Sequence, residues 1–283
     1  MIAARRLPAS GQFVKAVLYE YNACVLPSPC FVISDIHLGH APESVERTLL
    51  GFLRSLPSRD GSLLINGDLF EFWFEWRTVV PRSGVRVLAA LMDLRDAGVP
   101  VTMVAGNHDC WGGEVLRDAG VDFVQGPLGG SVGGWRARVE HGDGLREKED
   151  RGYRLLRRVL RNPLAIRAFG TLLHPDFASR LAMGSSRTSR DYAPRDEGRG
   201  LRAVAAKALE SNDAPELLIY GHSHVAALER MPGGGVYANA GSWLDAPTYL
   251  VVSPDRIVLR RWNGSAESAD LDVIERITEK ALP

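Results

Sequence analysis

A chain of 283 residues that is 45% hydrophobic and 24% charged has the composition of a globular protein, long enough for one large domain or a domain plus a cap. Lys+Arg and Asp+Glu both number 34, so no net charge draws the chain to nucleic acid, and no nucleic-acid partner is expected. Three cysteines, an odd number without CxxC spacing, argue against a disulfide framework or a thiolate metal pair, and no apolar run reaches the roughly 18 residues of a membrane span.

Residues 1–27 read as an N-terminal extension. Arg5 and Arg6 are followed by Pro8, Ser10, Gly11 and Gln12, which lack the apolar core of a signal peptide, so the expected location is the cytoplasm. The main domain is expected over 28–283. The apolar run 30–33 predicts a buried strand. The segment 42–56 predicts a helix, with Val45, Leu49, Phe52 and Leu56 on one face. A strand over 62–65, a helix over 85–97 stopped by Gly98, and a strand over 100–105 follow. Such alternation argues for a parallel sheet with right-handed crossovers.

From about residue 121 the pattern turns more antiparallel. Short strands are expected over 131–140, 216–220, 224–230, 235–240, 248–252 and 256–261, with a hairpin turn at Pro232-Gly233-Gly234-Gly235. A terminal helix is expected over 271–281. The segment 144–200 differs and reads as a helical insertion. Asn162-Pro163 and His174-Pro175 look like helix starts, Gly184 looks like a stop, and 185–200 looks like a polar loop. Its first helix puts Tyr153, Leu156, Leu160 and Leu164 on one face and Arg151, Arg154, Arg158 and Arg161 largely on the other. With thirteen Arg/Lys against seven Asp/Glu over 144–199, that helix reads either as a surface for an anionic membrane or as a solvated face over a core.

Five short motifs carry the chemistry: Asp35-x-His37, Gly67-Asp68, Gly106-Asn107-His108-Asp109, His141-Gly142-Asp143 and Gly221-His222-Ser223-His224. Five of the seven histidines fall inside them, leaving His40 and His174 outside. The first three motifs lie just past predicted strands, where α/β sheets bind ligands. In an extended segment Asp35 and His37 point the same way, as do His222 and His224. Carboxylate, imidazole and amide oxygen without thiolate suit Mn, Fe or Zn.

On these motifs the chain resembles the calcineurin-like metallophosphoesterases, from Asp35 through His224. The resemblance implies an α/β protein, a four-layer α/β/β/α sandwich with a helical cap insertion. It implies one metal ion held by Asp35, His37, Asp68 and His224. Asp68 would bridge to a second ion held also by Asn107, His141 and His222. Two divalent ions, with Mn expected and Fe or Zn as alternatives, would lower the pKa of a shared water, and the resulting bridging hydroxide would attack phosphorus. His108 would be catalytic, as general acid or as donor to the developing charge. Asp109 reads either as a catalytic-site residue orienting His108 or its backbone, or as a turn residue.

A finer resemblance is to the UDP-2,3-diacylglucosamine hydrolase branch, the pyrophosphatases of lipid A assembly. It rests on Gly67-Asp68-Leu69-Phe70-Glu71-Phe72-Trp73, and on His141-Gly142-Asp143-Gly144-Leu145 followed by Asp150, Tyr153 and an arginine-rich helix with Asn162-Pro163-Leu164. The implied substrate is a lipid-linked nucleotide sugar. Asp150, Tyr153, Ser186, Arg187 and Arg190 are the candidate substrate-binding residues, with a cap touching the inner face of the membrane and no obligate protein partner. This chain has His108 where that branch often has Arg, and Ser223 and Val225 where it usually has Thr and Arg. A general phosphodiesterase or nucleotide phosphatase of the same family is the alternative, and a non-catalytic scaffold a third reading. Trp73 and Trp76 read as pocket wall or core, Glu71 as support for a ligand or as a surface carboxylate.

Overall fold

The computed structural model describes residues 24–192, 196–265 and 268–277, with side chains described in all of these except 185–192. Strands β1 (Cys24–Leu26) and β2 (Cys30–Ile33) lead into α1 (Glu43–Ser55), β3 (Ser62–Asn66), α2 (Val85–Asp96), β4 (Val101–Val104), α3 (Glu114–Asp118) and β5 (Val121–Val124). Next come β6 (Leu128–Val132), β7 (Trp135–Val139), α4 (Arg151–Leu160), α5 (Pro163–Leu172), α6 (Pro175–Tyr192) and α7 (Arg199–Leu209). The described chain closes with β8 (Leu217–Tyr220), β9 (Ala227–Arg230), β10 (Val236–Asn239), β11 (Thr248–Val252), β12 (Arg256–Arg261) and β13 (Ala269–Glu275).

The strands form a seven-stranded sheet, β13-β12-β11-β2-β3-β4-β5, and a six-stranded sheet, β1-β6-β7-β8-β10-β9. Period-two alternation stacks them. Phe31, Ile33, Leu63 and Ile65 pack outward with Leu49, Phe52 and Leu53 of α1 and Val87 and Leu91 of α2. Cys30, Val32 and Leu64 turn inward and meet Val139, Leu217, Ile219, Val236 and Ala238 of the other sheet. On the far side Leu218, Tyr220 and Tyr237 receive Leu201, Ala205 and Leu209 of α7. The four layers are helix, sheet, sheet and helix, as the resemblance implied.

Several elements differ from the sequence reading. The segment 131–140 is not one strand: β6 and β7 form a hairpin, with Gly133 and Gly134 both at positive φ in the turn. The six-stranded sheet is mixed, because β7 pairs parallel with β8 and β8 parallel with β10. Cys24–Leu26 of the expected extension forms β1, parallel to β6. The expected terminal helix is strand β13, which runs antiparallel to β12 and satisfies backbone groups that would otherwise be an open edge; residues 278–281 of that expectation lie outside the described residues. Helix α6 runs past Gly184 to Tyr192, so 185–192 of the expected loop is helical. One interior glycine costs a helix only about 1 kcal/mol, too little to end an otherwise favourable run.

Helices α4 to α6 lie within the expected cap segment and, with α7, make the crossover that parallel neighbours β7 and β8 require. Asn162 caps α5: its Oδ1 accepts from Leu164 N at 2.8 Å and Ala165 N at 3.3 Å, ahead of Pro163. No side chain of α4 or α5 is fully buried. Phe169 of α5 anchors the cap on an aromatic group, stacking on Trp111 at 6.5 Å and 11° and lying 5.1 Å from Phe74. Trp111 Nε1 also donates to Leu160 O at 2.8 Å.

Phe52 holds α1 to the sheet. It is fully buried, with ring centroids of Tyr249, Trp243 and Trp262 at 4.9, 5.5 and 5.5 Å. Phe52→Ala is expected to lower the unfolding free energy by about 3–5 kcal/mol in urea denaturation; a loss under about 1 kcal/mol would show that this cluster does not hold the layer.

Candidate metal centre

All seven residues expected as ligands follow the carboxyl ends of strands from both sheets. Asp35 and His37 follow β2, Asp68 follows β3, Asn107 follows β4, His141 follows β7, and His222 and His224 follow β8. Past the strand ends the first two loops stay zipped together: Ile36 N and His37 N donate to Asp68 O at 2.9 and 3.0 Å, and Leu38 N to Leu69 O at 2.9 Å. Five of the seven residues, Asp35, His37, Asp68, His222 and His224, have φ between 52° and 62°. L-residues adopt this left-handed region at a cost of roughly 1–2 kcal/mol each, and such strain concentrates at functional sites.

The glycines of the motifs make room for these side chains. A β-carbon on Gly106 would overlap the Asp68 carboxylate, and one on Gly67 would overlap the His141 ring.

Asp68 Oδ2 is the focus. His141 Nε2 lies 3.1 Å from it, and His37 Nε2 and His108 Nε2 each 3.9 Å. Asp35 Oδ1 lies 3.4 Å from His224 Nε2 and 3.9 Å from His141 Nε2. His222, His141 and Asp68 form one triplet with ligand atoms within 4.8 Å of one another, and Asp35, His37 and His224 form another. Asp35, His37, Asp68 and His141 are at most 1% exposed.

These donors fit metal ions. His37 Nε2 and His224 Nε2 face each other at 3.2 Å, an approach that calls for a shared proton or cation. Asn107 Oδ1 is buried without a hydrogen-bond partner, in a protein interior where such groups are normally satisfied. Burial opposes charge on Asp68, but the charges of His141 and His108 hold its carboxyl well below the usual range. Burial would likewise lower His141, yet the Asp68 charge raises it well above an ordinary imidazole. Burial and the charge of His141 push His222 down to about 4. A field that holds positive charge between these groups is a field for a cation.

Around these candidate ligands sits a layer of hydrogen bonds. Ser34 Oγ donates to Asp35 Oδ2 at 2.6 Å and His222 N to the same carboxylate at 3.1 Å. His141 Nδ1 bonds Asn66 O at 2.8 Å, which leaves Nε2 toward the centre. Asn239 Nδ2 donates to Gly221 O and to Ser223 Oγ, both at 3.0 Å, and so braces the loop carrying His222 and His224.

Asp109 faces backbone amides rather than the His108 ring. Its oxygens accept from Leu69 N at 2.8 Å, Gly106 N at 2.9 Å, Asp68 N at 3.3 Å and Phe70 N at 3.4 Å. Burial, then the Asp68 charge, raises its carboxyl to about 7. Neither the ring nor the amide of His108 is among these partners, since His108 N donates to Asp68 Oδ1 at 3.0 Å; Asp109 instead ties the Asp68 loop to Gly106. Glu71 is buried, not a surface carboxylate, with Oε2 3.1 Å from His37 Nδ1. Trp73 is core, stacked on Phe70 at 4.3 Å, and Trp76 packs on Phe74 at 4.7 Å.

Of the expected substrate residues, Asp150 and Tyr153 bond to this chain. Asp150 Oδ1 accepts from Arg146 Nη2 at 2.8 Å. Tyr153 Oη donates to Asp143 Oδ2 at 2.7 Å. The side chains of Ser186, Arg187 and Arg190 lie outside the described residues. Asp143, in the motif of His141, has a role that the sequence pattern does not reveal. It is 3% exposed and takes Arg157 Nη1 on its main-chain oxygen at 3.0 Å, tying α4 to the loop of His141.

The calcineurin-like phosphoesterase family profile matches residues 28–226. A UDP-2,3-diacylglucosamine hydrolase of Porphyromonas gingivalis is 36% identical over 168 residues, covering 58% of this chain and 64% of that protein, just under two thirds. One of Stenotrophomonas maltophilia is 31% identical over 235 residues, covering 78% of this chain and 93% of that protein. A solved phosphoesterase of E. coli covers 87% of this chain and 97% of its own at 18% identity, with a TM-score of 0.38.

Asp109→Asn replaces an acceptor of four amide bonds with a group that accepts at one oxygen only. The unfolding free energy is expected to fall by about 1–3 kcal/mol in chemical denaturation. An unchanged midpoint would show that the clamp contributes no stability.

Proposed function

This chain belongs to the calcineurin-like phosphoesterase family and is a metal-dependent phosphoester hydrolase, and from that membership we propose that it cleaves the pyrophosphate of a lipid-bearing nucleotide sugar of the UDP-2,3-diacylglucosamine kind. In this reading Asp35, His37, Asp68 and His224 hold one ion, and Asp68, Asn107, His141 and His222 a second, with manganese as the first metal to test. When bound, such a pair supplies a water that is nucleophilic at neutral pH and neutralises charge on the phosphoryl oxygens.

The chain's own residues do the rest. His108 Nδ1 donates to Glu71 O at 2.9 Å, so its other nitrogen, Nε2, faces Asp68 with the side chain 15% exposed. Protonated there, His108 donates to the leaving-group oxygen as the bond to phosphorus breaks. The Asp109 clamp and the brace from Asn239 keep the ligand loops from shifting as charge moves, which is where preorganisation is worth most.

The observation that carries the lipid reading is the cap itself. Leu155, Leu156, Val159, Leu164, Leu172 and Leu181 are all exposed, on helices that also expose Arg151, Arg154, Arg158 and Arg167. Apolar side chains amid cations suit acyl chains beneath anionic head groups, and the same face would rest peripherally on the inner surface of a membrane. No helix among the described residues is long and apolar enough to cross one. The names of the relatives above point the same way.

A manganese-supplemented assay with UDP-2,3-diacylglucosamine beside bis(p-nitrophenyl) phosphate tests the substrate. Preference for the lipid is expected; turnover of the soluble diester alone would leave the chain a general phosphodiesterase, a chemistry that the imidazole of His108 also serves. His108→Ala is expected to lose about 10²- to 10⁴-fold in turnover while keeping its metal. Asp68→Ala should lose metal, and full occupancy by elemental analysis would overturn the ligand assignment.

A further inference from the structure

We propose that Glu71 is a positioning residue for two imidazoles at once, its carboxylate holding His37 and its main-chain carbonyl holding His108, each so that Nε2 faces the ligand cluster. The inference rests on the metal-ligand reading above.

Glu71 is 3% exposed, and a carboxylate is rarely buried so deeply unless a partner compensates. Its Oε2 lies 3.1 Å from His37 Nδ1, and its O lies 2.9 Å from His108 Nδ1. A carbonyl oxygen carries no proton, so Nδ1 of His108 must donate and Nε2 is the atom left to work. The carboxylate does the same for His37: an Nδ1–H bonded to Oε2 leaves the lone pair on Nε2, which stands 3.2 Å from His224 Nε2. A negative acceptor also makes that lone pair a better metal ligand.

The residue sits where three motif loops cross, and its backbone cannot drift. Glu71 N donates to Leu38 O at 3.0 Å, just past the Asp35–His37 loop. Trp73 N donates to His108 O at 3.2 Å, so the strand of chain through Glu71 is pinned to the third loop on its other side. Glutamate is three residues past Asp68, so one short turn spans from a ligand to the group that orients two others.

The two halves of the role separate by mutation. The Glu71 carboxylate bonds His37, whereas His141 is oriented by Asn66 O. The carbonyl is kept by any substitution. Loss of the charge is therefore expected to weaken the locus of Asp35, His37 and His224 and to spare that of Asp68, His141 and His222.

The test is a Co²⁺ titration of metal-free protein, followed by calorimetry and by the visible absorption of the bound ion. Wild type is expected to show two binding steps. Glu71→Gln should weaken one of them about 10- to 100-fold and leave the other within about threefold. Two unchanged steps, or two steps weakened alike, would overturn the proposal. A wild-type chain that takes up no Co²⁺ would instead overturn the ligand reading on which it rests. A second readout needs no variant: in Zn²⁺-loaded wild type with ¹⁵N-labelled histidine, both His37 and His108 are expected as Nδ1–H tautomers, and an Nε2–H tautomer at either sinks the idea.

Discussion

The burial of one carboxylate organises this molecule. Asp68 sits where the carboxyl ends of the two sheets meet, 1% exposed, and a charge so placed is tolerable only when opposite charge and hydrogen bonds surround it. Imidazoles arrive from both sheets to supply the first, and backbone amides supply the second, among them His108 N on Oδ1 at 3.0 Å. Each of those groups must in turn be held. The zipped loops past β2 and β3, the Asp109 clamp and the bonds from Asn66 and Asn239 are the means. The strained left-handed conformations of five candidate ligand residues persist because these neighbours over-determine them.

Much of this architecture can be read from residue order because its cause is local. The strands through Phe31, Leu63 and Tyr249 alternate between two buried faces, and α1 carries its apolar side chains at helical spacing. Motif glycines announce the ligands because a side chain there would occupy their space. What stays hidden depends on partners far along the chain. Strand β13 owes its form to the open edge of β12 rather than to its own composition. The hairpin of β6 and β7 turns on two adjacent glycines inside a stretch that reads as one strand. Asp143 and Asn66 act through a phenol, a guanidinium or a main-chain oxygen, and no spacing rule shows which distant group a carbonyl will face.

The cap follows a different logic from the rest. Its helices bury little of themselves and are fixed at few places: the Phe169 aromatic group, the Trp111 bond to Leu160, and Asp143 holding Tyr153 and Arg157. Trp111 comes three residues after His108, and Asp143 two after His141. Where these helices rest, they rest on segments that also carry the candidate metal-facing side chains.

The scatter of the ligands along the chain bears on how the protein comes into being. No single loop offers more than two of them, Asp35 with His37 or His222 with His224, and the outermost are separated by most of the polypeptide. A cation meeting the unfolded chain would find at most two of them side by side. The full set comes together only where both sheets have docked, so a complete site is a product of the fold rather than a local motif.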